Sequence, residues 1–320
     1  MADRNSHVRV NVFPGGFNWG LYVAIDRGLF TRHGLAVTVE GTPNSVAQMT
    51  GLAEGRFEIA MTAVDNVVAY VEGQGEAPIG AQPEFFAFMG SDSGFLSLVG
   101  RPGIADIAAF AGRTLSVDAL TTGYAFVLFE MLRRHGLGRG DYAVRRVGGM
   151  IQRFNSLCEG NEDGTLLSAP YNVLAREHGL VELARATAVL GPYQGNVAAA
   201  RRSWAAGHEA QVVAFVRGYR EAIAWLYEPA HRDEAIAILM ANLPQMPRAA
   251  AEASFVELLG PADGFFRDCD ISLDGMRCVL ELRSRHGGGA EALTTPQKYL
   301  DRRFYLAAVA DTASRRPDSC

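Results

Sequence analysis

Strand and helix signals alternate through the first 190 residues of this 320-residue chain. That alternation predicts an α/β protein in which mostly parallel sheets are flanked by helices. The pattern starts afresh near Pro102, which predicts a second unit of the same kind, and after about residue 195 the chain reads as almost wholly helical. The length suits two lobes of about 100–200 residues each.

The elements follow in order. Val8, Val10 and Val12 alternate with Arg9 and Asn11, so residues 8–13 read as a strand, and PGGFN follows as a turn. Asn18 is placed to cap a helix carrying Leu21, Val23, Ala24 and Ile25, which Gly28 ends by entering the left-handed conformation without a Cβ clash. After Gly34, the alternation of Leu35, Val37 and Val39 predicts a half-buried strand. Ser45 is expected to cap a helix to Glu54, and a strand at 58–61 leads into a helix ending near Gly73. Residues 79–89 and 95–99 read as strands around GSDSG.

The second round has a short helix at 104–110, a strand at 115–118, and a helix opened by TTG and closed by Gly136. A strand at 142–147, the helix GMIQRFNSLCEG, and the strand GTLLSAP running into another helix complete the unit at about residue 190. Helices are then predicted at 209–227, 232–241, 247–258, 272–285 and 302–310.

Composition narrows the function. With 48% hydrophobic and 20% charged residues the chain is globular in type, and a net charge of −5 argues against a nucleic-acid partner. Lys298 is the only lysine among the basic residues, which reads as coding bias. No apolar run reaches the ~18–20 residues that direct membrane insertion requires. Cys158, Cys269, Cys278 and Cys320 show no metal-ligand spacing. A Cys269–Cys278 disulfide is one reading and free buried thiols are the preferred one.

The stretch GLYVAIDRGLFTRHGLAVTVE (Gly20–Glu40) resembles the opening of the periplasmic substrate-binding proteins of bacterial ABC importers. The similarity is to the branch that captures nitrate, sulfonates, taurine and thiamine-precursor pyrimidines. SLVGRPGIADIAAFAGRTLSVDALTTGYAFVLFEMLRRHGL, TLLSAPYNVLAREHGLVELA and PQKYLDRRFYLAA are similar to later phrases of that family in the same order, so the resemblance covers roughly residues 8–310. It implies a type II periplasmic-binding-protein fold. Lobe 1 would comprise residues 1–96 and 195–320 and lobe 2 residues 97–194, with hinge crossings near 95–100 and 189–196. It also implies a monomer without a cofactor that closes on a small molecule and docks onto an importer's membrane subunits. The N-terminus MADRNSHVRVNVF lacks the features of a secretory signal. The expected compartment is therefore the periplasm if a leader has been trimmed, and the cytoplasm otherwise.

In open parallel sheets, ligands bind beyond the carboxyl ends of the strands, where helix N-termini point into the cleft. The turns so placed are Phe17–Asn18–Trp19, Thr42–Ser45, Thr62–Asn66, Ser91–Ser93, Thr121–Tyr124, Ser168–Tyr171 and Tyr193–Asn196. Phe17, Trp19, Tyr124, Tyr171 and Tyr193 offer flat faces. Asn18, Asn66, Thr121, Thr122 and Asn196 offer directional hydrogen bonds, with Thr42, Ser45, Ser93 and Ser168 as further polar candidates. Asp65, Asp92 and Asp118 offer negative charge. None of these turns carries Arg or Lys, which favours a neutral or weakly cationic ring-containing ligand. Arg101, Arg145, Arg146 and Arg153 are the cations whose reach into the cleft would alter that expectation. Several candidates also have ordinary structural readings: Asp65 and Ser45 as helix caps, Asp118 as a turn residue, and each aromatic as core or rim.

Enzyme signatures mostly fail. GSDSG has Asp92 where a nucleophile elbow needs Ser, and HGGG at 286–289 lies between C-terminal helices without a nucleophile motif to serve. The histidines at 7, 33, 135, 178, 208, 231 and 286 fall mostly near helix ends, and Cys158 lies inside a predicted helix. Some relatives of the resembling family are enzymes, including an aromatic-sulfinate desulfinase and pyrimidine-precursor synthases. A cytoplasmic enzyme or ligand sensor on the same fold is therefore the alternative, although Phe17–Asn18–Trp19 contains no cysteine for desulfinase chemistry.

Overall fold

In the computed structural model, which describes residues 6–80, 83–261 and 263–314, the strands form two five-stranded sheets. Cys320 lies outside the described residues. The first sheet has the order β2-β1-β3-β10-β4, with β1 Ser6–Val12, β2 Leu35–Gly41, β3 Ile59–Ala63, β4 Phe85–Gly90 and β10 Asn196–Arg201. The second has the order β7-β6-β8-β5-β9, with β5 Ser97–Gly100, β6 Thr114–Val117, β7 Ala143–Arg146, β8 Gly164–Leu167 and β9 Val181–Arg185. The alternation read at residues 8–12 sets the register: Val8 pairs with Val37 and Val10 with Val39, and all three odd-spaced valines of β1 are buried.

Each sheet contains one reversed strand. β10 is antiparallel to β3 and β4, and β5 is antiparallel to β8 and β9. These are the strands that enter a sheet immediately after the chain crosses from the other one, β5 after β4 and β10 after β9.

The sequence reading departs from the structure at identifiable places. β10 lies just past the crossing expected near 189–196, where the chain reads as almost wholly helical, and its Ala198, Ala199 and Ala200 carry no strand signal. Pairing on both edges makes it a strand, and small side chains suit a strand buried on both faces. β9 escapes the reading because its residues are half-exposed and polar. The helix expected at 104–110 is a single 3₁₀ turn, Ala108–Phe110. Asn44, one residue before Ser45, caps the helix Ser45–Glu54 by accepting from the Ala47 amide at 2.8 Å. Asn18 stands at the start of the helix Trp19–Asp26 but makes no side-chain cap; its Nδ2 donates to Phe13 O at 2.5 Å. Gly28, at φ 62°, does end that helix region in the left-handed conformation. Cys269 and Cys278 are free thiols, the first buried and the second half-buried.

One apolar cluster packs the first sheet against the helices Trp19–Asp26, Glu209–Leu226 and Arg232–Asn242. A second runs continuously from residues beside β3 and β4 to residues of the second sheet. The helix Leu273–His286 joins them, its Met276, Val279, Leu280 and Leu282 packing against both Val64–Val71 and Gly123–Arg134. At its end His286 and Arg285 meet Glu130 of the second unit, which also binds Arg133 and Arg134. Among the described residues no helix is long and apolar enough to cross a membrane, and no cluster of side chains is arranged to hold a metal ion.

Candidate functional site

A cavity of about 770 Å³ opens where the carboxyl ends of the parallel strands of both sheets meet. From the first sheet come Phe13, Pro14 and Phe17 after β1, Thr42–Val46 after β2, Ala63 and Asn66 after β3, and Asn196 at the start of β10. From the second come Asp118, Ala119 and Thr122–Tyr124 after β6, and the whole stretch Arg146–Arg153 after β7. The helices Val64–Val71, Gly123–Arg134 and Met150–Cys158 all begin at this space, the first with its Val64 amide already donated to Gly195 O at 2.9 Å.

Among the sequence candidates, Phe17, Thr42, Ser45, Asn66, Asp118, Thr122, Tyr124 and Asn196 line the cavity. Several of their polar atoms are held by local bonds. Thr42 Oγ1 donates to Asn44 O at 2.9 Å, Asn66 Nδ2 to Thr62 Oγ1 at 2.8 Å, and Thr122 Oγ1 to Asp118 Oδ1 at 2.7 Å. Burial and the nearby Asp92 and Asp118 charges push the Tyr124 phenol well above its ordinary value, so it stays a neutral hydroxyl.

The other candidates lie elsewhere, each for a physical reason. Trp19 is a core residue: its ring is fully buried, meets Phe255 edge-on at 5.7 Å, and its Nε1 donates to Ala235 O at 2.9 Å. Asn18 is buried behind Phe13. Asp65 is no helix cap and does not reach the cavity. It forms a buried bidentate pair with Arg283, at 2.7 and 2.5 Å, and that arginine also donates to Gln74 and to the backbone carbonyl of Thr121. Gly123 packs so tightly there that a Cβ would stand 2.4 Å from the Asp65 Cβ.

Asp92 is fully buried beneath the crossing segments, accepting from the Gly94 and Asn196 amides and the Asn196 side chain. Burial raises its pKa against those donors. Ser93 sits beside Asp263 O, and Thr121 is exposed with its hydroxyl on Glu76. Ser168 lies against Met150 Sδ, Tyr171 against the Phe154 ring, and Tyr193 is buried in the second cluster.

The sequence reading left the turn after β7 out of the site turns, although it named Arg146 and Arg153 among the cations whose reach into the cleft would alter the ligand expectation; both line the cavity, and Arg101 and Arg145 do not. Arg146 pairs with Glu76 across the cleft. Arg153, 3% exposed, donates Nε to Gly148 O at 3.1 Å and Nη1 to Leu166 O at 2.7 Å. Burial lowers its pKa, opposed by the nearby Asp118. A signal for Arg153 existed. Side chains in the first turns of a helix lean back toward its N-terminus, and this helix starts at the cavity.

Contacts across the cleft close its rims. Gly16 N donates to Ala169 O at 3.3 Å, and Glu257 gathers Asn172 at 2.6 Å together with Arg176 and Arg185. On the other side Glu76 takes Thr121 and Arg146.

A family model described as NMT1/THI5 like matches residues 18–234, more than half of the chain. No curated protein matches the sequence. Among solved structures the chain is similar to the periplasmic nitrate-binding protein NrtA from Synechocystis PCC 6803, at TM-score 0.80 and 12% identity over 98% of this chain and 91% of that one. A ligand-binding component of an ABC-type import system from Staphylococcus aureus superposes at TM-score 0.76 with 14% identity, covering 95% and 99%. The periplasmic aliphatic sulphonate binding protein SsuA from Escherichia coli gives 0.72 with 15% identity, covering 94% and 99%. The protein belongs to the NMT1/THI5-like family and carries the two-sheet fold of periplasmic binding proteins.

Proposed function

We propose that this protein binds a small organic molecule with an aromatic or heteroaromatic body in the cleft between its sheets and delivers it to an ABC importer. The observation that carries the reading is the cavity itself, walled by strand ends of both sheets and mixing flat apolar surface with a few polar groups. Phe13, Phe17, Pro43, Val46 and Met150 supply the apolar surface. The charged side chains in the wall, Glu76, Asp118, Arg146 and Arg153, balance, which favours a ligand of no net charge.

In this reading residues 1–96 with 195–320 form one lobe and residues 97–194 the other, moving about the crossings near 95–100 and 189–196. Ligand would shift the open–closed equilibrium by its preference for the closed form. The periplasm is the compartment that such a role implies, and the acting unit is a monomer. Among the described residues no cysteine or histidine lines the cavity, so a desulfinase-like reading has no nucleophile there.

A thermal-shift screen against heteroaromatics, aromatic amino acids, aryl carboxylates, sulfonates and nitrate tests the proposal. At about 100 times its dissociation constant a ligand adds about 2.7 kcal/mol of apparent stability. The expected hit is a ring compound of no net charge, recovered chemically unchanged. A hit that is consumed would make the protein an enzyme, and silence across the whole screen would count against the cleft as a solute site.

A further inference from the structure

One end of the cavity holds a cation, Arg153, that forms no ion pair with a described residue. Arg153 Nε and Nη1 bind only neutral acceptors: Gly148 O, Thr165 Oγ1 at 3.3 Å and Leu166 O. Among the described residues Nη2 has no acceptor, and no carboxylate forms an ion pair with the guanidinium. A buried charge without a counter-charge is costly, and a partner from outside the chain removes that cost. Asp118 lines the same cavity. Its Oδ1 is held by Thr122, while its Oδ2 receives no hydrogen bond from a described residue. Asp118 lies near enough to act on the Arg153 charge, but the two form no ion pair. The other two wall charges, Glu76 and Arg146, do join.

We propose that Arg153 and Asp118 are the two poles of a receptor for a zwitterionic ligand. A carboxylate or similar anionic group of the solute takes the free Nη2 edge of Arg153, and an ammonium or other N–H donor takes Asp118. The ring rests on Phe13, Phe17 and Met150. A simple anion would satisfy Arg153 and leave Asp118 desolvated beside it, and a simple cation would do the reverse. This assignment rests on the solute-binding reading above.

The test uses a bacterial metabolite extract separated by ion exchange into acidic, basic, amphoteric and neutral pools, each added to the full-length protein in a thermal-shift assay. The amphoteric pool is expected to raise the melting temperature most. With the active component of that pool, Arg153→Gln and Asp118→Asn should each weaken binding by about 30-fold or more. Arg153→Met removes the buried charge and keeps the bulk, and relief of that charge should offset the hydrogen bonds lost at Gly148 O and Leu166 O, so the empty protein should stay close to wild-type stability. Stabilisation by the acidic, basic or neutral pool alone would overturn the zwitterion assignment while leaving solute binding intact. Stabilisation by no pool would overturn both. A marked loss of empty-protein stability in Arg153→Met would make Arg153 a structural residue and end the proposal.

Discussion

The first sheet gives the cavity a wall of rings and amides, Phe13, Phe17, Pro43, Val46 and Asn66, with Glu76 at its rim, whereas the second sheet gives it Asp118, Arg146 and Arg153. Both walls follow one rule, loops at the carboxyl ends of parallel strands. They differ in what happens to the charges found there. Asp65, after β3, is neutralised by Arg283, which arrives from 218 residues away, and Asp92, after β4, is enclosed by amides. Asp118, after β6, has among the described residues only the Thr122 hydroxyl. A carboxylate at a strand end thus carries no fixed meaning, because the partner brought to it by tertiary packing decides whether it braces the fold or faces a ligand.

The sharpest way to break this contrast is to remove each carboxylate in turn. Asp65→Ala should cost about 3–5 kcal/mol of stability, since it strands a buried guanidinium. Asp118→Ala should cost under about 1 kcal/mol in urea unfolding, the usual range for one exposed-side hydrogen bond. Equal losses at both positions would erase the distinction.

The aromatics offer the same comparison. Trp19→Ala should lose about 3–5 kcal/mol of stability by emptying a core site. Phe17→Ala should leave the fold nearly unchanged and weaken a ring-containing ligand by about 1 kcal/mol, as fits a half-buried face. Calorimetric titration and thermal melts read the two effects separately.

A pH-dependent difference concerns the brace between the sheets. Arg133, with Arg134 and His286, holds the Glu130 carboxyl down at about 2. A depressed carboxylate stabilises the fold above its unfolded pKa of about 4.3 and loses that contribution as pH falls toward 2. Up to about 3 kcal/mol should therefore disappear between about pH 5 and pH 2. Melts of Glu130→Gln should be flatter over that window than those of the wild type.

Much of the fold was legible because its signals are local. The valine alternation of β1 and β2, the Gly28 stop and the long amphipathic helix at 209–226 are set by neighbours a few residues apart. β10 and β9 were not legible, one being alanine-rich and the other polar, so that only pairing with distant strands makes them strands. At the site, the strand-end rule located Phe17, Thr42, Asp118 and Tyr124 in the wall. It failed for Trp19 and Asp65, whose side chains are claimed by Ala235 and Arg283 from far along the chain. It was applied to too few turns at Arg146–Arg153, where the chemistry most specific to this cavity lies.

The most direct measurement is small-angle X-ray scattering of the protein freed of small molecules by unfolding and refolding, before and after adding a stabilising ligand. Closure of two lobes over the cleft predicts a smaller radius of gyration with ligand than without it. An unchanged radius with ligand demonstrably bound would contradict closure and leave the second apolar cluster holding the sheets as one rigid body.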